Sequence, residues 1–132
     1  MTHLVEQAGL SKRIKISSAA TSREEIGNPV HYGTRKKLQA EGVPLIPHQA
    51  IQMTKKDYRN YDLIIAMDHW NLRNMEWLVG SDPMHKVHLL LDFTDRGGDI
   101  ADPWYTGDFD ETYRDVLEGC QGLLEYCKNE LL

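Results

Sequence analysis

The stretch Leu63-Ile64-Ile65-Ala66-Met67 decides the fold, because it is an unbroken apolar run with the length of a single strand. Such a run is typical of a parallel strand that is covered on both faces. Asp68 follows it directly and is a favourable N-cap for a helix. The helix itself is predicted by apolar residues at helical spacing and a terminal glycine, namely Leu72, Met75, Leu78 and Gly80.

The pattern of a strand next to a helix recurs on both sides of this stretch. Val87 to Phe93 repeats the buried-strand pattern, and Ile14 to Ala20 is predicted to form a short strand. Further helices are predicted over residues 2 to 8, 32 to 41 and 54 to 60. Strands that alternate with helices indicate βαβ units. We therefore predict an α/β fold with three layers, a mainly parallel central sheet flanked by helices, in one domain over residues 1–132.

The last helix is predicted to begin after Asp108, which with Glu111 forms an Asp-led capping box. Its apolar residues recur along one stripe: Phe109, Tyr113, Val116, Leu117, Cys120, Leu123, Leu124 and Cys127. Both cysteines of the chain lie on this stripe and far from the amino end of the helix. We therefore expect two buried, inert thiols rather than a nucleophile.

Composition and charge exclude several classes of partner. The net charge is −5, and the 15 Lys and Arg residues are spread along the chain, which argues against nucleic acid or an anionic membrane. The sequence has no apolar run of membrane-spanning length and no signal peptide at its amino end. With two cysteines, the chain fits a reducing compartment, so we expect a cytoplasmic protein.

A second stretch, from Asp99 to Tyr113, carries the candidate chemistry. It contains Asp102-Pro103-Trp104-Tyr105, a carboxylate before a proline and two aromatic residues. Proline disfavours the helical conformation of the preceding residue, so Asp102 is expected to be extended in a loop at the carboxyl edge of the sheet. One reading is a general acid beside an aromatic binding surface. The other is an ordinary Asp-Pro turn in which Trp104 and Tyr105 cover the core.

Other chemistries find little support in the sequence. The six histidines are scattered, so we expect no metal site. Gly97-Gly98 lies between Asp95 and Asp99, whose charges would repel a phosphate. We expect no cofactor.

An ordered set of motifs resembles the low-molecular-weight protein-tyrosine phosphatases over essentially the entire chain. The motifs are Ser18-Ala19-Ala20-Thr21-Ser22, Gly27-Asn28-Pro29, His48 to Thr54 with Asp57, Ala66-Met67-Asp68 with Asn71, and Asp102-Pro103-Trp104-Tyr105 with Gly107. The resemblance implies a phosphotyrosine-phosphatase-like Rossmannoid fold. It also implies hydrolysis of phosphotyrosine in proteins, or of a small aryl phosphate, through a cysteinyl-phosphate intermediate.

By resemblance, site roles fall on five residues. Asp102 is similar to the acid that protonates the leaving tyrosine oxygen, and Trp104 and Tyr105 resemble the aromatics around the substrate ring. Ser18 and His48 resemble the pair that supports the phosphate-binding loop.

The family's phosphate-binding loop reads Cys, five residues, Arg, Ser, and no such loop occurs in this sequence. The sixth residue after Cys120 is Tyr126, and Cys127 is followed by too few residues. We therefore expect a chain without its first strand and nucleophile loop, catalytically incompetent as given, with an exposed sheet edge that favours self-association. Three alternatives remain open: a phosphatase whose start has been placed too late, a non-catalytic pseudophosphatase that binds another chain, and, less favoured, an arsenate reductase.

Overall fold

The computed structural model describes residues 1–19, 32–44, 51–101 and 106–132. The described helices are α1 (Thr2–Gln7), α2 (Tyr32–Ala40), α3 (Lys55–Asn60), α4 (His69–Val79) and α5 (Phe109–Tyr126). The described strands are β1 (Ile64–Ala66) and β2 (Val87–Leu89). A 3₁₀ turn (Leu90–Phe93) follows β2, and a π turn (Cys127–Leu131) follows α5.

The two strands are parallel, with Ile64, Ile65 and Ala66 opposite Val87, His88 and Leu89. Helix α4 connects them, which confirms the predicted unit of two parallel strands and a helix. The second strand is shorter than predicted. The Asp92 carboxylate accepts the Leu89 N–H at 3.0 Å. Because this N–H bonds to a side chain, it is not available for pairing with a neighbouring strand, and the chain turns after Leu89.

Side chains of β1 point to opposite faces of the sheet, as strand geometry requires. Ile65 packs against one cluster of buried residues, which comprises Leu90, Leu91, Ile100, Cys120, Leu123 and Cys127. Ile64 and Ala66 belong to the other cluster, with Met53, Tyr58, Met75 and Leu89. The sheet therefore has α5 on one face and α3 with α4 on the other, which confirms the three-layer α/β architecture.

The caps predicted for the later helices are present. Asp68 accepts the Asn71 N–H at 2.8 Å at the start of α4, and Gly80 ends this helix with φ 80°. Asp108 accepts the Glu111 N–H at 2.9 Å at the start of α5. These side chains satisfy N–H groups that have no partner within the helix.

The strand predicted over Ile14 to Ala20 is wrong for residues 14–19, and Ala20 lies outside the described residues. The amide of Ile14 instead donates to the Leu10 carbonyl at 2.9 Å, which closes a turn after α1. Ile14 packs against the first cluster, whereas Ile16 is 40% exposed. β-branched residues favour a strand, but a strand also needs a neighbouring strand to bond with. In the part of the chain described, no strand pairs with this segment.

Two glycines of α5 let this helix approach the 3₁₀ turn. A Cβ atom on Gly122 would lie 2.0 Å from the Phe93 carbonyl oxygen, and one on Gly119 would lie 2.5 Å from Leu90 Cγ. Since real Cβ contacts are never this short, any larger residue would push the helix away from Leu90 and Phe93. This close packing fixes the 3₁₀ turn against α5.

None of the described helices combines the length and the apolar character that crossing a membrane requires.

Candidate functional site

The segment that precedes Asp102 is fixed to the carboxyl end of β1. The Ile100 N–H donates to the Met67 carbonyl oxygen at 2.8 Å, one residue beyond the strand. Ile100 is also buried, with 5% exposure, in the cluster beneath α5. The backbone before Asp102 is therefore held by both a hydrogen bond and core packing, at the edge where parallel α/β sheets bind ligands.

A side-chain pair adds a second connection at this edge. His69 Nδ1 and Asp99 Oδ1 are 2.5 Å apart, which links the first residue of α4 to a residue three positions before Asp102. Both side chains are largely exposed, at 71% and 44%, so the pair itself contributes at most about 1 kcal/mol. The pair therefore contributes mainly to position, because it connects Asp99 to α4, whose first turn is capped by Asp68.

Helix α5 holds the loop from the other side. The Thr112 hydroxyl donates to the Ala101 carbonyl oxygen at 3.0 Å, directly before Asp102. After the loop, the Thr106 hydroxyl oxygen accepts the Asp108 N–H at 3.1 Å. Residues 99 to 101 are thus fixed by β1, α4 and α5 together.

The turn between β1 and α4 completes the described part of this edge. The Asn71 side-chain oxygen accepts the Met67 N–H at 3.0 Å, while Asp68 caps the helix. Asp68 and Asn71 are both in the motif that resembles the phosphatase family. In the structure, both side chains form hydrogen bonds within residues 67–71 and so stabilise the turn between β1 and α4.

Four predicted site residues, Asp102, Trp104, Tyr105 and His48, lie outside the described residues. Ser18 is described, in a segment without regular secondary structure before residue 20. Its neighbour Ser17 shares a hydrogen bond between hydroxyl groups with Tyr61, just before β1. The predicted contact between Ser18 and His48 stays a prediction.

The two thiols are buried, at 6% exposure for Cys120 and 7% for Cys127, which confirms their predicted place on the packed face of α5. Burial raises the pKa of the Cys127 thiol, which disfavours the nucleophilic thiolate. Cys120 lies within α5, and Cys127 directly follows its carboxyl end, where the helix continues into the π turn.

Arg96 is the arginine closest in sequence before the loop. Its guanidinium contacts Asp115 at 2.7 Å and Glu118 at 2.9 Å on α5. The hydrogen bond to Asp115, and to a smaller extent the one to Glu118, raises the pKa of the guanidinium. Because two carboxylates neutralise this cation, it is poorly suited to hold a phosphate.

Within residues 1–19, 32–44, 51–101 and 106–132, no group of three or more His, Cys, Asp or Glu side chains could hold a metal ion.

Three contributors to this edge were missed by sequence reasoning: His69, Asp99 and Thr112. Asp99 and His69 are 30 positions apart, and no periodicity relates them. Thr112 follows a predicted helix start, but its hydroxyl could equally face solvent. The tertiary fold, and not a local sequence pattern, brings these groups to the end of β1.

Comparison with known proteins identifies the family. The family model for low molecular weight phosphotyrosine protein phosphatase matches residues 1–131. The chain is 34% identical over 129 residues to the low molecular weight protein-tyrosine-phosphatase YfkJ of Bacillus subtilis, covering 96% of this chain and 83% of the relative. It is 34% identical over 127 residues to the human low molecular weight phosphotyrosine protein phosphatase, covering 92% of this chain and 80% of the human protein.

The fold agrees with these sequence relationships. The crystal structure of YfkJ from Bacillus subtilis superposes with a TM-score of 0.94 at 33% identity, covering 99% of this chain and 84% of that chain. The chain therefore belongs to the low molecular weight phosphotyrosine protein phosphatase family.

Proposed function

We propose that this chain supplies the acid half of a phosphotyrosine phosphatase site, with Asp102 as the general acid. The observation that carries the proposal is the bond from the Ile100 N–H to the Met67 carbonyl, at 2.8 Å, because it fixes the backbone two residues before Asp102 at the ligand-binding edge. Trp104 and Tyr105 follow in the same loop and would contact the ring of a phosphotyrosine side chain.

In the proposed reaction, a thiolate attacks phosphorus and the bond from phosphorus to the tyrosine oxygen breaks. Asp102 gives its proton to that oxygen, so tyrosine leaves as a neutral phenol rather than a phenolate. Water then hydrolyses the cysteinyl phosphate, with Asp102 as the base that accepts the proton of the water. Ser18 and His48 would hold the phosphate-binding loop in shape.

The nucleophile is the missing part of this proposal. In the 132 residues, neither cysteine is followed by an arginine at the sixth position, and both thiols are buried. Loss of the nucleophile from a site whose groups act together lowers the rate by about 10⁴ to 10⁶. We therefore propose that residues 1–132 alone do not turn over phosphotyrosine.

The substrate class is a phosphotyrosine-containing protein or a small aryl phosphate, and the mechanism needs no cofactor. A cytoplasmic location is part of the proposal, supported by two free thiols, which persist in a reducing compartment. Self-association is supported by apolar side chains left exposed near the sheet, such as Ile16 at 40% and Met67 at 39%.

A second candidate function is that of a non-catalytic binding protein. The burial of both thiols and the neutralised Arg96 favour it, since neither group is available to a phosphate ester. This candidate predicts binding of a phosphotyrosine peptide without turnover.

The proposal is tested with a longer polypeptide, in which a strand and a loop with the sequence Cys, five residues, Arg, Ser are added before Met1. We expect it to hydrolyse a phosphotyrosine peptide, and Asp102→Asn to lower its kcat by about 10² to 10⁴. Asp95→Asn is the matched control in the same loop and should leave kcat nearly unchanged. Absence of turnover in the longer polypeptide, or equal effects of the two substitutions, would contradict the proposed role of Asp102.

A further inference from the structure

Helix α4 presents two tryptophans to solvent. Trp70 is 67% exposed and Trp77 is 85% exposed. They are seven positions apart, so they lie on the same face of the helix, about 10 Å apart along its axis. Exposed apolar side chains that share one surface can mark an interaction site, whereas single scattered ones are common on protein surfaces.

A cation contacts one of the two indoles. The Arg73 guanidinium is 5.0 Å from the centroid of the Trp70 ring, a cation–π contact. Tryptophan and arginine are the residue types that most often dominate the energy of protein interfaces. We call the face formed by Trp70, Arg73 and Trp77 the α4 strip.

The far end of the α4 strip opens into a groove of about 660 Å³ between α3 and the end of α4. This volume is within the range of clefts that bind ligands, about 300 to 1,000 Å³. Its lining combines apolar and basic side chains: Lys55, Tyr58, Arg59, Trp77, Pro83 and Met84. Met84 is 60% exposed, and Glu76 also lines the groove.

Charge indicates what this surface would bind. In the described part of the chain, Lys55, Arg59 and Arg73 form no ion pair, so no contacting carboxylate offsets their charges. The groove lining contains Lys55 and Arg59 against one acidic residue, Glu76, so it has a local excess of positive charge although the whole chain carries −5. Such an area is complementary to an acidic segment with an apolar side chain.

The near end of the α4 strip lies beside the candidate site. Trp70 follows His69, which contacts Asp99 at the base of the loop that carries Asp102. An extended peptide advances about 3.3 Å per residue, so the distance between the two indoles corresponds to about three residues. A protein whose phosphotyrosine occupied the site could therefore lay its flanking residues along α4.

We propose that the α4 strip and its groove dock an acidic segment of the phosphoprotein substrate that flanks the phosphotyrosine and carries an apolar side chain. The identity of this partner as a substrate rests on the proposed function. The docking surface selects among protein substrates and has no role for a small aryl phosphate.

Binding of short synthetic peptides to the full chain tests the proposal. The probe is a fluorescein-labelled peptide rich in glutamate with one phenylalanine and no phosphate, so its binding does not depend on catalysis. We expect Trp77→Ala and Arg59→Glu each to weaken binding about tenfold. Since Trp77 is 85% exposed, its replacement should leave the unfolding midpoint unchanged.

The controls separate docking from general charge attraction and from failure of the phosphatase proposal. Lys12→Glu makes the same change in charge as Arg59→Glu at an exposed position after α1, and it should leave binding unchanged. A peptide with lysine in place of glutamate should not bind. The docking proposal is contradicted if the acidic peptide does not bind or if Trp77→Ala leaves its binding unchanged. It is also contradicted if sedimentation shows a dimer that Trp77→Ala dissociates, because a second copy would then cover the tryptophans. Hydrolysis of p-nitrophenyl phosphate, which has no flanking residues, by the longer polypeptide that carries the Cys-to-Arg loop reports on the phosphatase site separately.

Discussion

The amide of Ile100 donates to the carbonyl oxygen of Met67 at 2.8 Å, and this bond joins the loop before Asp102 to the end of β1. It fixes the segment that precedes Asp102 at the carboxyl edge of the parallel sheet. The first prediction concerns the contacts that hold this loop.

Thr112→Val removes the hydroxyl that donates to the Ala101 carbonyl at 3.0 Å, with little change in shape. One neutral hydrogen bond contributes about 1 kcal/mol, so amides of residues 99 to 101 should exchange about fivefold faster. Hydrogen exchange followed by mass spectrometry measures this change. The Thr112→Ser variant keeps the hydroxyl, so its amides should exchange at the same rates as those of the parent chain. Equal exchange rates in all three chains would show that this hydrogen bond does not hold the loop.

The second prediction tests the contact between α5 and the 3₁₀ turn. Gly122→Ala would place a Cβ atom 2.0 Å from the backbone oxygen of Phe93, which cannot move without shifting the turn. We expect a loss of about 2 to 3 kcal/mol of unfolding free energy, although alanine is the better helix former.

Gly119→Ala is the matched comparison. Its Cβ would meet the Leu90 side chain, which can adjust more easily than backbone, so the loss should be smaller. Urea unfolding of both variants measures the difference. Stabilisation by Gly122→Ala would show that the described separation of α5 and Phe93 is too short.

The third prediction concerns Asp82, whose carboxylate accepts the Tyr58 hydroxyl at 2.6 Å and the amides of Lys86 and Val87 at 2.8 and 3.1 Å. Burial alone would raise the pKa of this carboxyl, but the bonds from Tyr58, Lys86 and Val87 outweigh it and lower the pKa. A carboxyl with a lowered pKa contributes stability that is present above its unfolded pKa and is lost as the pH falls through the folded value.

Asp82→Asn should therefore cost about 1 to 3 kcal/mol near neutral pH, and the difference from the parent chain should shrink below about pH 4. Asparagine tolerates the φ of 57° at this position, so backbone strain does not confuse the comparison. Unfolding free energies at several pH values measure the effect. A difference that stayed constant from neutral to acid pH would contradict the role of the charge.

The fourth prediction concerns the thiols. Cys120 and Cys127 are 6% and 7% exposed, and burial raises the pKa of Cys127. Both should react with a thiol reagent far more slowly in the folded chain than in denaturant, and phosphate should not protect them. Rapid labelling of either cysteine in the folded chain, slowed by phosphate, would identify a nucleophile that the account does not include.

Sequence patterns predicted the framework well because the relevant signals are local. The apolar run Leu63 to Met67 gave a buried parallel strand, and Asp68 and Asp108 gave the starts of α4 and α5. A capping side chain acts within one helical turn, so its pattern is visible in the sequence.

The errors came from interactions between distant segments. The strand expected at residues 14–19 lacks a paired neighbour in the described part of the chain, and the second strand ends early where Asp92 takes the Leu89 amide. The pair of His69 and Asp99 depends on where the loop leaves the sheet. Propensity describes what a segment can form, while packing decides what it does form.

The most direct measurement is the hydrolysis of p-nitrophenyl phosphate by the 132-residue chain. The account predicts no turnover above the uncatalysed rate, because neither cysteine is followed by an arginine at the sixth position and both are buried. Turnover that disappears in Asp102→Asn would contradict it, because the chain would then contain a nucleophile that works with this acid.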